Sequence, residues 1–460
     1  MRILSLIDRR EVSNTYGCAD RNFWNYKISD FPNSRLQEVA YTLALYYKKK
    51  GNESLKSLCK AVVDFWCEIQ NKDGSFNEAF PREHSHAATA FSGFAIAKAC
   101  MEIGYINDRV LDSLEKAGKW LLKNSDIEVV NHEAGALAFL TELYKITNND
   151  IFLRGARKKL KLMMKNYSKE GWFIEYGGFD YGYSTVTIYY LAHAVEILKE
   201  IKDVLKECIN FLKYFSFPDG SVFPYGSRNT YFFVPDGLVI FENSVSKNIL
   251  SNYVKGIENR KVLTPKSFDD RYLLEYLYTF YHFSNRFDTY RKTNIDLPYK
   301  YKFRKFFRDS KIFIFSDKKN YLIVNILRGS LKLYSKKSVY ANEGYFLNGH
   351  CSSLLDKNTE FEITENRIVI KKKFLRINSE TINTKKYILI RIMFLFPFKN
   401  FLKKKLRERL ILSRKESDAY LIREIILGND IKVNDKVPDG AVECERITGF
   451  YLASEGLAVV

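Results

Sequence analysis

The sequence predicts a multidomain α+β chain, an N-terminal (α/α) toroid of helical hairpins followed by a C-terminal antiparallel β-sandwich. Three observations predict it. Apolar residues recur at three- and four-residue spacing in paired segments, the first of each pair beginning near 34, 86, 132, 184, 229 and 270. A repeat of roughly 41 to 52 residues belongs to stacked helical hairpins, and six of them suit a closed ring. The linkers at 70–76, 171–173 and 218–223 each supply turn residues and then an aromatic, always after the second helix of a pair. Beyond residue 295 the apolar period drops to two, and turn residues separate short β-rich runs.

In chain order, residues 1–33 form an irregular arm in which Arg21 and Trp24, among Tyr16, Phe23 and Tyr26, are candidates to stack on a sugar. The toroid is expected over 34–295. After two helices around Leu43 and Val62, the periodicity places helices at about 86–104, 108–123, 132–147, 150–166, 184–199, 201–215, 229–243, 246–258 and 270–286. Runs at 311–316, 321–327, 330–334, 360–371 and 418–427 read as strands of a sandwich domain over 296–460. One insert, 387–415, breaks that pattern. Its first twelve residues are apolar but too few to span a bilayer, and 399–415 carries eight Lys/Arg against one Glu. A basic amphipathic stretch beside a greasy one is what a peripheral membrane contact requires; a buried strand followed by a solvated helix is the alternative.

A hydrophobic fraction of 46% and an aromatic fraction of 15% exclude a disordered chain. The net charge of +19 favours an acidic polysaccharide, a nucleic acid or an anionic lipid surface as partner. Basic residues are spread out and concentrate only at 399–415, so nucleic acid is not the expected partner. Seven scattered cysteines without a CxxC pair read as reduced thiols. The apolar run in the first ten residues is too short for a signal-peptide core, so a cytoplasmic location is expected, peripheral at the inner membrane face if the insert makes its contact. His84 and His86 would be two metal ligands without a third, so no metal and no cofactor is expected.

The densest chemistry lies at 171–183, where six aromatics, two carboxylates and four glycines fall in thirteen residues. Glycines let backbone approach a ligand, and tyrosines beside carboxylates offer stacking surface and proton donors. Trp172, Glu175 and Tyr176 are candidate substrate contacts there, as are His84 and His86 two hairpins earlier; a loop that tucks its aromatics into the core is the other reading. Asn131-His132 opens the inner helix between them. A uronic acid polymer can be cut by β-elimination once its C6 carboxylate is neutralised and the C5 proton becomes removable. An amide and an imidazole can hold that carboxylate, which suits Asn131 and His132. A tyrosine can move the protons if nearby cations lower its pKa, which makes Tyr181 and Tyr183 candidates. His350, in Asn348-Gly-His350, is placed to complete the site from the β domain. The plainer roles are a helix cap for Asn131 and an ordinary turn for His350.

With Asn131-His132, then Tyr183 after Glu175-Tyr-Gly-Gly178, then His350, the chain resembles the heparinase II/III-like and alginate lyase-like polysaccharide lyases in residue type, order and approximate spacing. The resemblance implies a toroid joined to a β-sandwich and elimination on an acidic polysaccharide. By resemblance Asn131 and His132 neutralise the carboxylate, Tyr183 is the acid and also a candidate base, and His350 is a second proton-transfer group. The loop reads Glu-Tyr-Gly-Gly-Phe-Asp-Tyr-Gly-Tyr, so Tyr181 competes with Tyr183. The expected cytoplasmic location and the basic insert suit surface-polysaccharide synthesis rather than degradation. A uronyl C5-epimerase, a glycoside hydrolase using two of Asp73, Glu78, Glu175 and Asp180 at roughly 5–9.5 Å, and a non-catalytic glycan-binding protein are the alternatives.

Overall fold

The computed structural model describes residues 2–228, 230, 232–377, 383–395, 415–428, 430–446 and 457–459. Its first half is built from helices α1 (Val39–Lys50), α2 (Glu53–Glu68), α3 (His86–Ile103), α4 (Asp108–Lys123), α5 (Val130–Thr147), α6 (Asp150–Met163), α7 (Tyr181–Ala194), α8 (Ile201–Leu212), α9 (Asp236–Ile240), α10 (Ser244–Glu258) and α11 (Asp270–Tyr276). Odd-numbered helices α1 to α9 pack each on the next, and α11 with the turn Leu277–Phe280 returns to the Ser34–Glu38 turn and α1, closing the ring.

Composition explains which helices lie inside. In α3, fifteen of eighteen residues are buried, and α5 and α7 are buried on nearly every side, the pattern of a helix surrounded by protein. The outer α4 buries only Val110, Ser113, Leu114, Ala117, Gly118 and Leu121, a stripe at three- and four-residue spacing. Close approach of α3 and α5 depends on reciprocal glycines. A Cβ on Gly93 would meet the Phe139 ring at 2.6 Å, and one on Gly135 would meet Phe91 at 2.4 Å. Side-chain caps start most of these helices: Asn52, Ser85, Asn107, Asn149 and Asp180 each accept a first-turn N–H.

Two expected helices are shorter than their apolar runs. The predicted 229–243 helix is confined to α9, because Pro235 keeps Val234 out of helical backbone and allows the helix to start only behind it. The predicted 270–286 helix is broken after α11. The amides of His282 and Phe283 beyond the break are taken by the buried Asp236 carboxylate at 2.9 and 2.8 Å.

Apart from the two-residue strands Tyr167–Ser168 and Trp172–Phe173, which pair with each other, strands begin at Lys302. β1 (Lys302–Phe307), β2 (Ile312–Asp317), β3 (Asn320–Asn325), β4 (Ser330–Ser335) and β5 (Ser338–Asn342) form an antiparallel meander. A second antiparallel sheet includes β6 (Tyr345–Leu347), β7 (His350–Cys351), β8 (Glu360–Ile363), β9 (Arg367–Arg376), β10 (Glu416–Ile426), β11 (Lys432–Lys436) and β12 (Val442–Arg446). Phe313, Leu322, Val324 and Leu331 of the meander share one apolar cluster with Ile368, Ile370 and Ile425 of the second sheet. Their inward alternation is the period-two signal seen in the sequence.

Over its described part the insert departs from the expected buried strand. Thr384–Met393 is a helix, started by the Asn383 side chain, and it docks on the helical half. The Tyr387 and Phe394 rings lie 6.0 and 5.5 Å from Phe80, and Arg391 pairs with Asp30. Residues 396–414, which hold most of the basic stretch, lie outside the described residues.

Candidate functional site

The N-terminal ends of α3, α5 and α7 open onto a groove of about 700 Å³. His84, His86, Asn131, His132, Tyr176 and Tyr183 line it, with Arg35, Phe91, Trp120, Arg271, Tyr272 and Tyr276. Six of the twelve site residues named from the sequence are thus gathered in one place.

Each of the central side chains is fixed from behind. Asn131 sits in the first turn of α5, and the Glu175 carboxylate accepts its backbone N–H at 2.7 Å and its side-chain Nδ2–H at 3.0 Å. Glu175 is wholly buried, and burial pushes its pKa up to about 8 against those two hydrogen bonds. His132 Nδ1 lies 3.0 Å from Asp126, and the Asp126 backbone N–H donates to Glu133. Glu133 is buried between Lys159 Nζ at 3.0 Å and His86 Nε2 at 3.3 Å, and Lys159 also donates to the Asn124 carbonyl at 2.5 Å. Burial drives His86 well toward its neutral form, and the cation of Lys159 adds to that. The rim loop 124–129 is therefore stapled to the ring at several points.

Tyr183 is 9% exposed, one turn into α7, whose N-cap Asp180 accepts its backbone N–H at 3.2 Å. Burial raises its phenol pKa, the neighbouring Tyr176 adds to that, and Arg228 opposes them. Tyr176 lies 5.6 Å from Tyr183 with Arg228 over its ring at 5.2 Å, and it adopts left-handed backbone at φ 49°. The turn at 225–228 holds this loop: Ser227 Oγ donates to the Glu175 carbonyl at 2.5 Å, and the Arg228 N–H to Asp180 at 2.9 Å. A Cβ on Gly226 would meet the Asp180 backbone at 2.6 Å, so that turn needs glycine. The sheet grips the same turn through Asn325 Nδ2 to the Tyr225 carbonyl at 2.7 Å and Arg328 Nη1 to the Gly226 carbonyl at 3.1 Å.

Six named residues lie elsewhere. Tyr181 is 1% exposed and stacks on Phe233, on the core side of α7, so the helical turn that shows Tyr183 to the groove hides Tyr181. Trp172 is core, against Phe179 and Phe211, with its indole N–H on Glu170. Trp24 anchors the arm by donating to the Leu6 carbonyl at 3.0 Å, and Arg21 stacks on Tyr26. Glu175 stands behind Asn131 rather than facing the groove. His350 does not line the groove; its Nδ1 lies 3.0 Å from the Asn348 carbonyl of its own hairpin. Glu175 and Asp180 of the proposed acid pairs are buried in backbone contacts, and Glu78 is held by Arg271 at 2.6 Å.

Sequence reading missed Arg35, Asp126 and Arg271. Arg35 is buried over Phe91 at 4.8 Å and bound to Glu38 at 2.8 Å and Glu275 at 3.0 Å. A visible signal was the polar run Arg35, Gln37 and Glu38 at the head of an apolar inner helix. Asp126 gave none, since only the folded rim loop brings it to His132. His84, at φ 51°, is fixed by Asp73 at 2.6 Å and Ser75 at 2.7 Å. Among the described residues no group of three or more His, Cys, Asp or Glu is placed to hold a metal ion.

Residues 26–231 match the family model of the ulvan lyase N-terminal domain. No curated protein matches the chain. Among solved structures, heparinase III aligns at a TM-score of 0.48 and 9% identity over 85% of this chain and 60% of that one. A mutant of heparan sulfate lyase HepC from Pedobacter heparinus aligns at 0.45 and 10% over 96% and 68%. A glycosyl hydrolase family 88 protein from Bacteroides vulgatus aligns at 0.38 and 11% over 54% and 77%. The stretch matched by the ulvan lyase N-terminal domain runs through the ring and contains Asn131, His132 and Tyr183.

Proposed function

We propose that the groove cleaves a uronate-containing glycan by β-elimination. The observation that carries this is the common groove of Asn131, His132 and Tyr183, the first two locked by buried or half-buried carboxylates. The C6 carboxylate sits against the Asn131 amide and His132, whose hydrogen bonds strengthen as enolate charge develops. Tyr183 takes the C5 proton and returns one to the departing O4, forming the C4–C5 double bond as the C4–O4 bond breaks. Burial keeps this phenol protonated, which suits its return of a proton to O4, and it takes the C5 proton only as the phenolate that the nearby Arg228 favours. His84, held by Asp73 on the same groove, is another group able to carry a proton.

The test is ultraviolet absorbance of the unsaturated product on a panel of uronate polymers. Tyr183→Phe is expected to lower kcat by about 10²–10⁴, the range of general acid–base catalysis, and Asn131→Ala by about 10²–10³. Exchange of the C5 proton without cleavage would mean epimerisation instead. Absence of both on every polymer would overturn the reading.

The helix Thr384–Met393 supports a peripheral membrane contact, because Ile388, Leu389 and Ile392 are about half exposed on it. No helix among the described residues is long and apolar enough to cross a membrane. The seven cysteines are all unpaired and buried, which fits work in the cytoplasm on a polymer being made at that face. Cosedimentation with anionic vesicles, lost in Leu389→Glu, checks the contact.

A further inference from the structure

The ring is less completely filled at the mouth opposite the groove. α11 ends at Tyr276, while α1 beside it runs on to Lys50. Past Tyr276, α1 therefore meets the turn Leu277–Phe280 instead of a continuous inner helix. A cavity of about 860 Å³ is left at this seam, lined by Leu45, Tyr46 and Lys49 near the C-terminus of α1 and by residues 262–267 beyond α10. That is the size of a ligand pocket. Its walls are apolar and open. Ile257, Val262, Leu263, Leu277, Tyr281 and Phe287 line it and are only partly buried, and Tyr46 is 45% exposed beside them. A contiguous apolar surface left open to solvent marks a place that another molecule covers. The charge is one-sided as well. Lys49, Arg260 and Lys266 line the cavity, all three exposed, and no carboxylate does. Lys49 is held by Asn285 at 2.7 Å and answers the C-terminal dipole of α1. Arg260 and Lys266 are in no ion pair among the described residues. The Thr42 hydroxyl, in a residue 2% exposed, lines the same cavity without a hydrogen-bond partner. Buried polar groups seldom stay unsatisfied.

We infer that this far mouth of the ring is a second binding site, separate from the groove, for an amphipathic anion: a hydrocarbon chain in the cavity with a phosphate or carboxylate head on Arg260 and Lys266. Removal of the chain from water supplies the affinity, and the two cations set which end enters first. The site stands apart from the lyase reading, because no residue that lines the groove lines this cavity.

The experiment is isothermal titration of the full chain with decyl phosphate below its micelle concentration, at physiological ionic strength so that the basic exterior is screened. Octyl phosphate, inorganic phosphate and the decyl ether of tetraethylene glycol, which keeps the chain without the charge, are the comparisons. Decyl phosphate is expected to bind at one site about tenfold more tightly than octyl phosphate, which buries two methylenes fewer. It should bind about fivefold more tightly than the ether, and Arg260→Gln together with Lys266→Gln should remove that second advantage. Leu263→Trp, which fills the cavity, should abolish binding; if it does not fold, Ser284→Trp at an exposed lining position takes its place. No binding, equal affinity for inorganic phosphate or for the ether, or no dependence on chain length overturns the inference. Dimerisation that the same tryptophan abolishes, seen by sedimentation without any binding of decyl phosphate, overturns it too and gives the cavity to a second copy of the chain.

Discussion

Two turns of the β half carry a basic side chain that bears on the helical site, and they differ completely in how they are held. Arg328, between β3 and β4, is fully buried and donates to the carbonyls of Gly226 and Ser227 at 3.1 and 3.4 Å. Through that turn it supports Asp180, the cap that sets Tyr183 at the groove. His350, in the hairpin of β6 and β7, touches the carbonyl of its own Asn348 and lies outside the groove. The sheets therefore contribute to the site by bracing the tyrosine helix rather than by lending it a histidine. A reactive residue depends on what is packed behind it, and in this fold that backing comes from the opposite half of the chain.

The largest expected effect tests the brace. Arg328→Met removes a buried cation and leaves two carbonyls unsatisfied, at about 1–3 kcal/mol for each unsatisfied group. Thermal unfolding should show that loss. In protein that remains folded, kcat should fall while KM changes little, because the tyrosine is displaced and the Asn131 wall is not. A normal kcat would break the comparison.

Glu175 gives a smaller effect with a sign set by pH. Its folded pKa of about 8 stands above the ordinary carboxyl value of 4.5. The folded state keeps a proton that the unfolded chain releases, so this contribution is complete below the unfolded value and is lost as pH rises toward about 8. Glu175→Gln should remove that slope, seen as a smaller fall in Tm between about pH 5 and pH 9. Glu175→Ala, which leaves the Asn131 N–H and amide without their acceptor, should cost about 1–3 kcal/mol. It should also lower kcat toward the level of Asn131→Ala. If Glu175→Ala is as active as the parent, Asn131 needs no backing and the argument for the ring wall fails.

These residues also show how far the sequence could be read. The ring was legible because six inner segments repeat one apolar pattern, and the meander because short β-rich runs are separated by turn residues. Asn131, His132 and Tyr183 were legible as short polar groups at the heads of otherwise apolar inner helices. Tyr181 and Tyr183 could not be separated by type, since they differ only by a two-residue rotation of about 200° around α7. Arg328 was illegible because an Arg-Gly turn between strands looks like any solvated turn until residues 102 positions apart meet. Asp126 and Lys159 act through the rim loop, and no local spacing links them to His132.

The smallest expected effect is the one that most sharpens the comparison. His350→Ala removes a half-exposed ring whose nearest polar partner, the Asn348 carbonyl, remains open to solvent, so stability should change by less than about 0.5 kcal/mol. With no place on the groove, its loss should leave kcat and KM within about twofold, far less than the factor of 10² or more that removal of a proton-transfer group brings. His84→Ala under the same assay should lower kcat and shift the alkaline or acid limb of its pH profile, because Asp73 fixes that imidazole on the groove wall. A large loss in His350→Ala with an unchanged fold would mean that the hairpin swings onto the groove when polymer binds. The sheet would then supply chemistry as well as support, and the distinction between the two turns would be one of timing rather than of role.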